Sequence, residues 1–444
     1  MLRILKKLAR HLGAADELGP RSGQPVSLAD PKTRRLIARG ILARFTDRPA
    51  RLAATVMFHL KRAIRKLRIR KLPIRVVFLA QDPLNWLSVD SLYQSCLADP
   101  VFQVHVINVG FKYGTDYATD CANLFRQNQI PFLDGVNNPI ELGRLSPDII
   151  VLSSPYDDCR PAPYRTRKLL RRAKTLYICY GPDFADRRGV LAKQVFGIDT
   201  QRYAWRIVTR SSDTIGEYKK HGNVPARRIL CLGHPRMDQF YSGLQGDPLP
   251  QDLLAASAGK FKVIYSPHHS LEGWSTFLRY GTLIRQLIRD NTDLYVVFRP
   301  HPLLEGSLKQ ANIMKPEVFR SLFQGERCCW YTGSNYYDLF RWSNALVSDA
   351  SSFLVEYAPT RQPIVYLNRE DGWGGLDDTL RENVLNSCYV VRSAAEIGAT
   401  LQQLAAGHDP LRLTRLPYQE NMSQGMFTGG AGTRVAEYLK KKLA

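Results

Sequence analysis

Short apolar runs alternate with longer amphipathic stretches through most of this chain. The pattern predicts strands at Ile74–Ala80, Phe102–Val109, Asp148–Leu152, Leu176–Tyr180, Arg206–Val208 and Ile229–Leu232. Between them it predicts helices at Val89–Ala98, Tyr117–Gln127, Tyr164–Arg172 and Thr214–His221. Strand-length apolar runs separated by helices imply a parallel sheet covered on both faces. Gly243–Pro250 is rich in Gly and Pro and reads as a linker. The alternation then restarts, with predicted strands at Lys262–Tyr265, Leu294–Phe298, Cys328–Tyr331, Ala345–Val347, Ile364–Leu367 and Tyr389–Val391. Helices are predicted at Thr276–Asp290 and Ala394–Leu404, with a terminal one at Thr433–Leu443.

The expected fold class is therefore α/β. Two Rossmann-like, doubly wound domains, 74–242 and 251–428, face each other across a cleft, which is the GT-B arrangement. Residues 429–444 form a terminal helix. A length of 444 residues fits two domains better than one core.

The N-terminal 73 residues differ from the rest. Leu2, Leu5, Leu8, Ala9 and Leu12 share one helical face, and so do Leu52, Val56, Leu60, Ile64 and Leu67 within Arg51–Lys71. Lys61, Arg62, Arg65, Lys66 and Arg68 flank the second face. Residues 1–75 hold 20 Lys and Arg against 4 Asp and Glu, so they carry +16 of the formal +22. The body is nearly balanced, which argues against a nucleic-acid binder. Basic amphipathic helices suit an anionic membrane surface, so the extension is expected to hold the protein at the inner face of the cell membrane. No apolar run approaches the ~18 residues of a membrane span, and Met1–Leu12 lacks the apolar core of a signal peptide. The eight cysteines are scattered, several in strand-like runs, which fits a reducing cytoplasm. No Cys/His spacing suits zinc. Neither a metal nor a cofactor is expected.

Candidate chemistry gathers at the carboxyl ends of predicted strands, where open α/β sheets bind ligands. In the second domain, Ser351 and Ser352 open a helix after the Ala345–Val347 strand, a start suited to a phosphate. Glu356 lies one turn on and could accept from a ribose or the transferred group. Arg299 can clamp phosphate, and His301 can donate to it or protonate it. Ser266 and His268 end the first strand at the same edge, beside His269. In the first domain, Asp183 is the candidate general base, and Tyr180 and Asp157 are candidates for the acceptor pocket. Arg236 and Asp238 serve either the cleft floor or a structural pair.

Together these motifs resemble the CDP-glycerol glycerophosphotransferase family, which includes teichoic acid polymerases and capsule enzymes. The matching elements are Ser266-Pro267, Arg299-Pro300-His301-Pro302, Ser348-Asp349-Ala350-Ser351-Ser352 with Glu356-Tyr357, and Arg361-Gln362-Pro363-Ile364. Gly233–Asp238 and Gly429–Arg434 fit more loosely. The resemblance implies a GT-B fold, a CDP-activated alditol donor and transfer of a polyol phosphate onto a lipid-linked or polysaccharide acceptor. It also implies a functional role for His301. Teichoic acid polymerases carry Trp-His-Gly in the first domain, with the His as base; Cys179-Tyr180-Gly181 stands here, and Asp183 is the substitute. Two rival functions are a nucleotide-sugar glycosyltransferase, which uses the same fold and phosphate site, and a scaffold without catalysis.

Overall fold

The computed structural model describes residues 49–65, 72–113, 116–181, 196–242, 249–333, 336–349, 351–368, 378–424 and 428–444. The predicted helical face at Leu2–Leu12 and most of the predicted linker fall outside these residues.

The first lobe contains β1 (Ile74–Ala80), β2 (Phe102–Asn108), β3 (Phe111–Tyr113), β4 (Asp116–Thr119), β5 (Leu133–Asp134), β6 (Ile149–Leu152), β7 (Lys174–Ile178), β8 (Arg206–Thr209) and β9 (Ile229–Cys231). The second contains β10 (Phe261–Ser266), β11 (Leu294–Phe298), β12 (Cys328–Trp330), β13 (Ala345–Ser348), β14 (Ile364–Leu367) and β15 (Tyr389–Val391). One sheet has the order β5-β2-β1-β6-β7-β8-β9 and the other β12-β11-β10-β13-β14-β15. Every pairing within both sheets is parallel. Each order reverses direction once, between β1 and β6 and between β10 and β13. Those two switch points are where an α/β sheet opens a crevice at its carboxyl edge. Central strands are buried on both faces, as β11 is along its whole length.

Two helix predictions need correction. Tyr117 does not begin a helix: Asp116–Thr119 pairs antiparallel with Phe111–Tyr113. The Tyr and Thr there favour extended backbone, and the helix waits for Ala122, whose N–H donates to the Asp120 carboxylate at 2.6 Å. Tyr164–Arg172 shrinks to a 3₁₀ turn at Ala162–Tyr164 and a helix at Thr166–Leu169. Pro161 and Pro163 fix that entry, and the Thr166 N–H is held by Asp157.

Two outlying helices complete the first lobe. The terminal helix, Ala431–Leu443, returns to it and buries Val435, Ala436, Leu439 and Leu443 against Leu92 and Cys96. Asp238 starts that helix: its two carboxylate oxygens accept the N–H groups of Ala431 and Gly432 at 2.9 and 2.8 Å. Gly432 sits so close to Ser91 that a Cβ would lie 2.5 Å from the Ser91 carbonyl carbon. The basic helix at 49–65 docks by Phe58, which enters the core, and by Arg65, which donates to Asp148 at 2.6 Å. Lys61 lies 3.5 Å from the same carboxylate. Two residues read as a membrane-facing basic flank thus serve as anchors to the body. Leu52, Val56, Met57 and Leu60 stay exposed on the other side. No helix among the described residues is long and apolar enough to cross a membrane.

Candidate active site

The second switch point brings Ser266, His268, Arg299 and His301 to one sheet edge. The segments leaving β10 and β11 stay paired past the sheet: the Arg299 N–H donates to Tyr265 O at 2.9 Å and the His301 N–H to Pro267 O at 3.0 Å. His268, His269 and His301 are thereby stacked side by side, with ring centroids 4.1 to 5.3 Å apart. Asp349, at the exit of β13, holds the trio's loop in place. Its carboxylate accepts the His268 N–H at 2.7 Å, the Thr276 hydroxyl at 2.7 Å and the Thr276 N–H. Burial raises its pKa to about 6 against those hydrogen bonds. Ser266 is buried in the same layer, and its carbonyl accepts from Ser348 Oγ at 2.6 Å.

The histidine tautomers follow from their partners. His268 Nδ1 accepts the Ser270 N–H at 3.1 Å, and His301 Nδ1 accepts the Leu303 N–H at 3.2 Å. Burial, reinforced by His269 at His268 and by His269, His268 and Arg299 at His301, pushes both pKa values down to about 3, and burial lowers His269 as well. Neutral imidazoles that accept at Nδ1 carry their proton on Nε2. His268 and His301 therefore each present an Nε2–H donor, which suits an anionic oxygen. The three rings place ligand atoms within 4.8 Å of one another, close enough for a metal ion. For such an ion, His268 and His301 would have to give up the Nε2 proton while a backbone N–H blocks Nδ1.

Arg299 is 94% buried, and its guanidinium carbon lies 4.3 Å from the ring centre of Tyr336 and 5.2 Å from that of Phe353. Its Nε has no hydrogen-bond partner among the described residues. Burial lowers its pKa, as expected for a cation lacking a close anion. Ser352 is exposed on the first turn of the Ser351–Tyr357 helix. The Ser351 side chain lies outside what is described.

Glu356 does not face open space. It is buried, and its Oε2 accepts from Arg236 Nε at 3.1 Å, Tyr336 OH at 2.5 Å and Tyr337 OH at 2.9 Å. Its predicted contact with a ribose is replaced by this cluster. The same contact corrects the reading of Arg236 and Asp238 as a pair: Arg236 crosses to the second lobe, while Asp238 caps the terminal helix.

On the first lobe, Tyr180 is 40% exposed at the end of β7, with its ring 6.3 Å from that of Tyr156. Its carbonyl accepts from Arg236 Nη1 at 2.6 Å and Ser88 Oγ at 2.9 Å. Asp157 is not free for an acceptor. It pairs with the fully buried Arg160 and accepts the Thr166 N–H and hydroxyl at 2.9 and 2.8 Å, so it clamps its own loop. Asp183 lies outside the described residues. Three further groups also shape the cleft. Tyr336 links Arg299 to the Glu356 cluster. His234, buried and with its pKa pushed down to about 3 by burial, has its Nε2 3.1 Å from Gly181 O. Asp82, at the first switch point, accepts the Asn85 N–H at 2.9 Å, and burial raises its pKa.

The likenesses to known proteins concern the fold and one stretch of the sequence. No curated protein matches the chain. Among solved structures, S. aureus MnaA with UDP aligns at a TM-score of 0.56 and 12% identity, over 83% of this chain and 96% of that one. Neisseria meningitidis UDP-GlcNAc 2-epimerase bound to UDP-GlcNAc gives 0.54 and 10%, over 83% and 100%. The wall teichoic acid polymerase TagF gives 0.52 and 13%, over 90% and 98%. At these identities the likeness is one of fold: two α/β lobes of GT-B type. Residues 182–372 match the family model described as CDP-glycerol:poly(glycerophosphate) glycerophosphotransferase. That stretch contains Ser266, Arg299, His301 and the Ser348–Glu356 segment, which carry the resemblance, and also His268. Over those residues, which are less than half of the chain, the sequence is similar to that family of transferases.

Proposed function

We propose that the protein transfers a polyol phosphate, glycerol phosphate or a close analogue, from a CDP-activated donor to a lipid-linked or polysaccharide acceptor. An acceptor hydroxyl attacks the donor β-phosphate. A new phosphate ester forms, the pyrophosphate P–O bond breaks, and CMP leaves with the bond electrons. Phosphoryl transfer demands charge stabilisation above all. The observation that carries this reading is Arg299, a buried guanidinium with no ion-pair partner among the described residues, on the same strand-end layer as the Nε2–H donors of His268 and His301. Ser351 and Ser352 complete the phosphate side. The proton of the acceptor hydroxyl goes to Asp183. Asp82 is the second candidate for that role, because it stands at the first switch point with a raised pKa. Asp183→Asn and Asp82→Asn, compared for turnover at saturating donor, separate the two.

The acceptor is membrane-linked in this reading, and the 49–65 helix faces the bilayer. Its exposed Leu52, Val56, Met57 and Leu60 form an apolar stripe on the most basic part of the chain. The nucleotide-sugar rival draws on the UDP and UDP-GlcNAc complexes of similarly folded proteins. Incubation with radiolabelled CDP-glycerol, CDP-ribitol and a panel of nucleotide sugars decides between them. Release of CMP with labelled phosphate in the acceptor supports the proposal. Transfer from nucleotide sugars alone overturns it. Pelleting with anionic liposomes, compared with Val56→Glu/Leu60→Glu, tests the membrane face. Equal pelleting of the two forms counts against it.

A further inference from the structure

Two guanidiniums and one carboxylate meet around Tyr336, and they are not paired symmetrically. Arg236 stands 5.4 Å from the Tyr336 ring centre and Arg299 4.3 Å from it. The Tyr336 hydroxyl accepts from Arg236 Nη2 at 2.6 Å and donates to Glu356 Oε2 at 2.5 Å. Arg236 Nε reaches the same Glu356 oxygen, while its Nη1 donates to Leu84 O and Tyr180 O. All of the Glu356 contacts run to Arg236 and the two tyrosines. No hydrogen bond or ion pair to the Arg299 guanidinium exists among the described residues. Among the described residues, the Arg299 guanidinium is thus a buried positive charge without a hydrogen-bonded anion, and Glu356 acts on it only across space.

We infer that Arg236 is a positioning residue that keeps Glu356 from pairing with Arg299, so that Arg299 stays free for an anionic ligand. This rests on the reading of Arg299 as a donor-phosphate group. A buried carboxylate stripped of its partner is costly and seeks the nearest cation. Without Arg236, the cation left to it is Arg299, which lies over the same Tyr336 ring and already feels the Glu356 charge. The two guanidiniums already differ in the expected way. Burial opposes charge on both, but Tyr336 and Glu356 outweigh it at Arg236 and raise its pKa, whereas at Arg299 burial prevails. Arg236 also holds the Tyr180 carbonyl, so one side chain sets the charge of the donor site and the position of Tyr180 just after β7.

Inorganic pyrophosphate binding to the full chain, measured by calorimetry, tests this. Arg236→Met is expected to weaken binding by about tenfold or more, the worth of one charge-assisted hydrogen bond. Arg236→Met/Glu356→Gln removes the competing carboxylate and is expected to restore binding to within a few-fold of the parent. Glu356→Gln alone is expected to tighten it. Thermal melts establish that each variant is folded. If Arg236→Met fails to fold, Glu356→Gln and the double variant still decide. Weaker binding in Glu356→Gln overturns the inference, and so does a folded double variant that binds no better than a folded single. Arg299→Met tests the underlying reading separately. Unchanged pyrophosphate binding there overturns the phosphate role of Arg299, whereas lost binding there with no effect of Arg236→Met overturns only the inference.

Discussion

Lowering the pH from 7.5 to 5 should destabilise the folded protein strongly, and the buried imidazoles set the size of the effect. His234, His268 and His301 all have folded pKa values near 3, against an ordinary 6.5. A depressed imidazole pKa contributes stability above 6.5, and that stability is lost as pH falls towards 3. At pH 5 the unfolded chain has bound nearly a full proton at each site while the folded protein has bound almost none. Linkage gives about 2 kcal/mol lost per imidazole over this interval. Asp349 acts in the opposite sense. Its folded pKa of about 6 exceeds the ordinary 3.8, so protonation favours the folded form by about 1 kcal/mol at pH 5. The histidines win, for a net loss of roughly 3 to 5 kcal/mol, a large part of a typical domain's stability. Urea unfolding followed by tryptophan fluorescence at the two pH values measures this. His301→Gln should shed about 2 kcal/mol of the pH-dependent loss. Equal midpoints at both pH values, or a His301→Gln protein with the parent's pH dependence, would refute the reasoning.

Four further outcomes concern the helices that close the first lobe. Gly432→Ala places a methyl group 2.5 Å from the Ser91 backbone, so the terminal helix must shift, at about 1–3 kcal/mol of stability in thermal or urea melts. Asp238→Ala removes both hydrogen bonds at the start of the same helix and should cost about 1–3 kcal/mol. Combined, the two changes should cost less than their sum, because each loosens the same element. Asp148→Asn breaks the buried pair with Arg65 and should cost about 3 kcal/mol, read as a lower melting temperature.

The two sheets were legible because their central strands are continuous apolar runs, such as Leu294–Phe298 and Ile364–Leu367, which carry their signal locally. The convergence of Arg299, His301 and His268 was legible for a related reason. Each sits at a strand end, and the Rossmann order places those ends side by side. The antiparallel pair at Phe111–Thr119 was hidden because the apolar positions of Tyr117–Gln127 also fit a helix. The role of Glu356 was hidden more deeply. Its i, i+4 relation to Ser352 is a local cue, but the decisive partner, Arg236, lies 120 positions away on the other lobe. Asp157 misled for the opposite reason: its partner, Arg160, is only three positions on and consumes the carboxylate within its own turn.

The return of the last helix to the first lobe also bears on how the protein is made. Ser95 and Thr433 touch although 338 positions separate them. During synthesis the first lobe emerges early, yet the apolar face around Leu92 and Cys96 is covered only when Val435, Ala436, Leu439 and Leu443 arrive. Until then the nascent chain displays that face through the whole synthesis of the second lobe, which at 5–20 residues per second lasts roughly ten to forty seconds. Its productive folding is therefore paced by translation and exposed to chaperone capture or aggregation over that interval, a cost set by contacts made at the very end of a long loop.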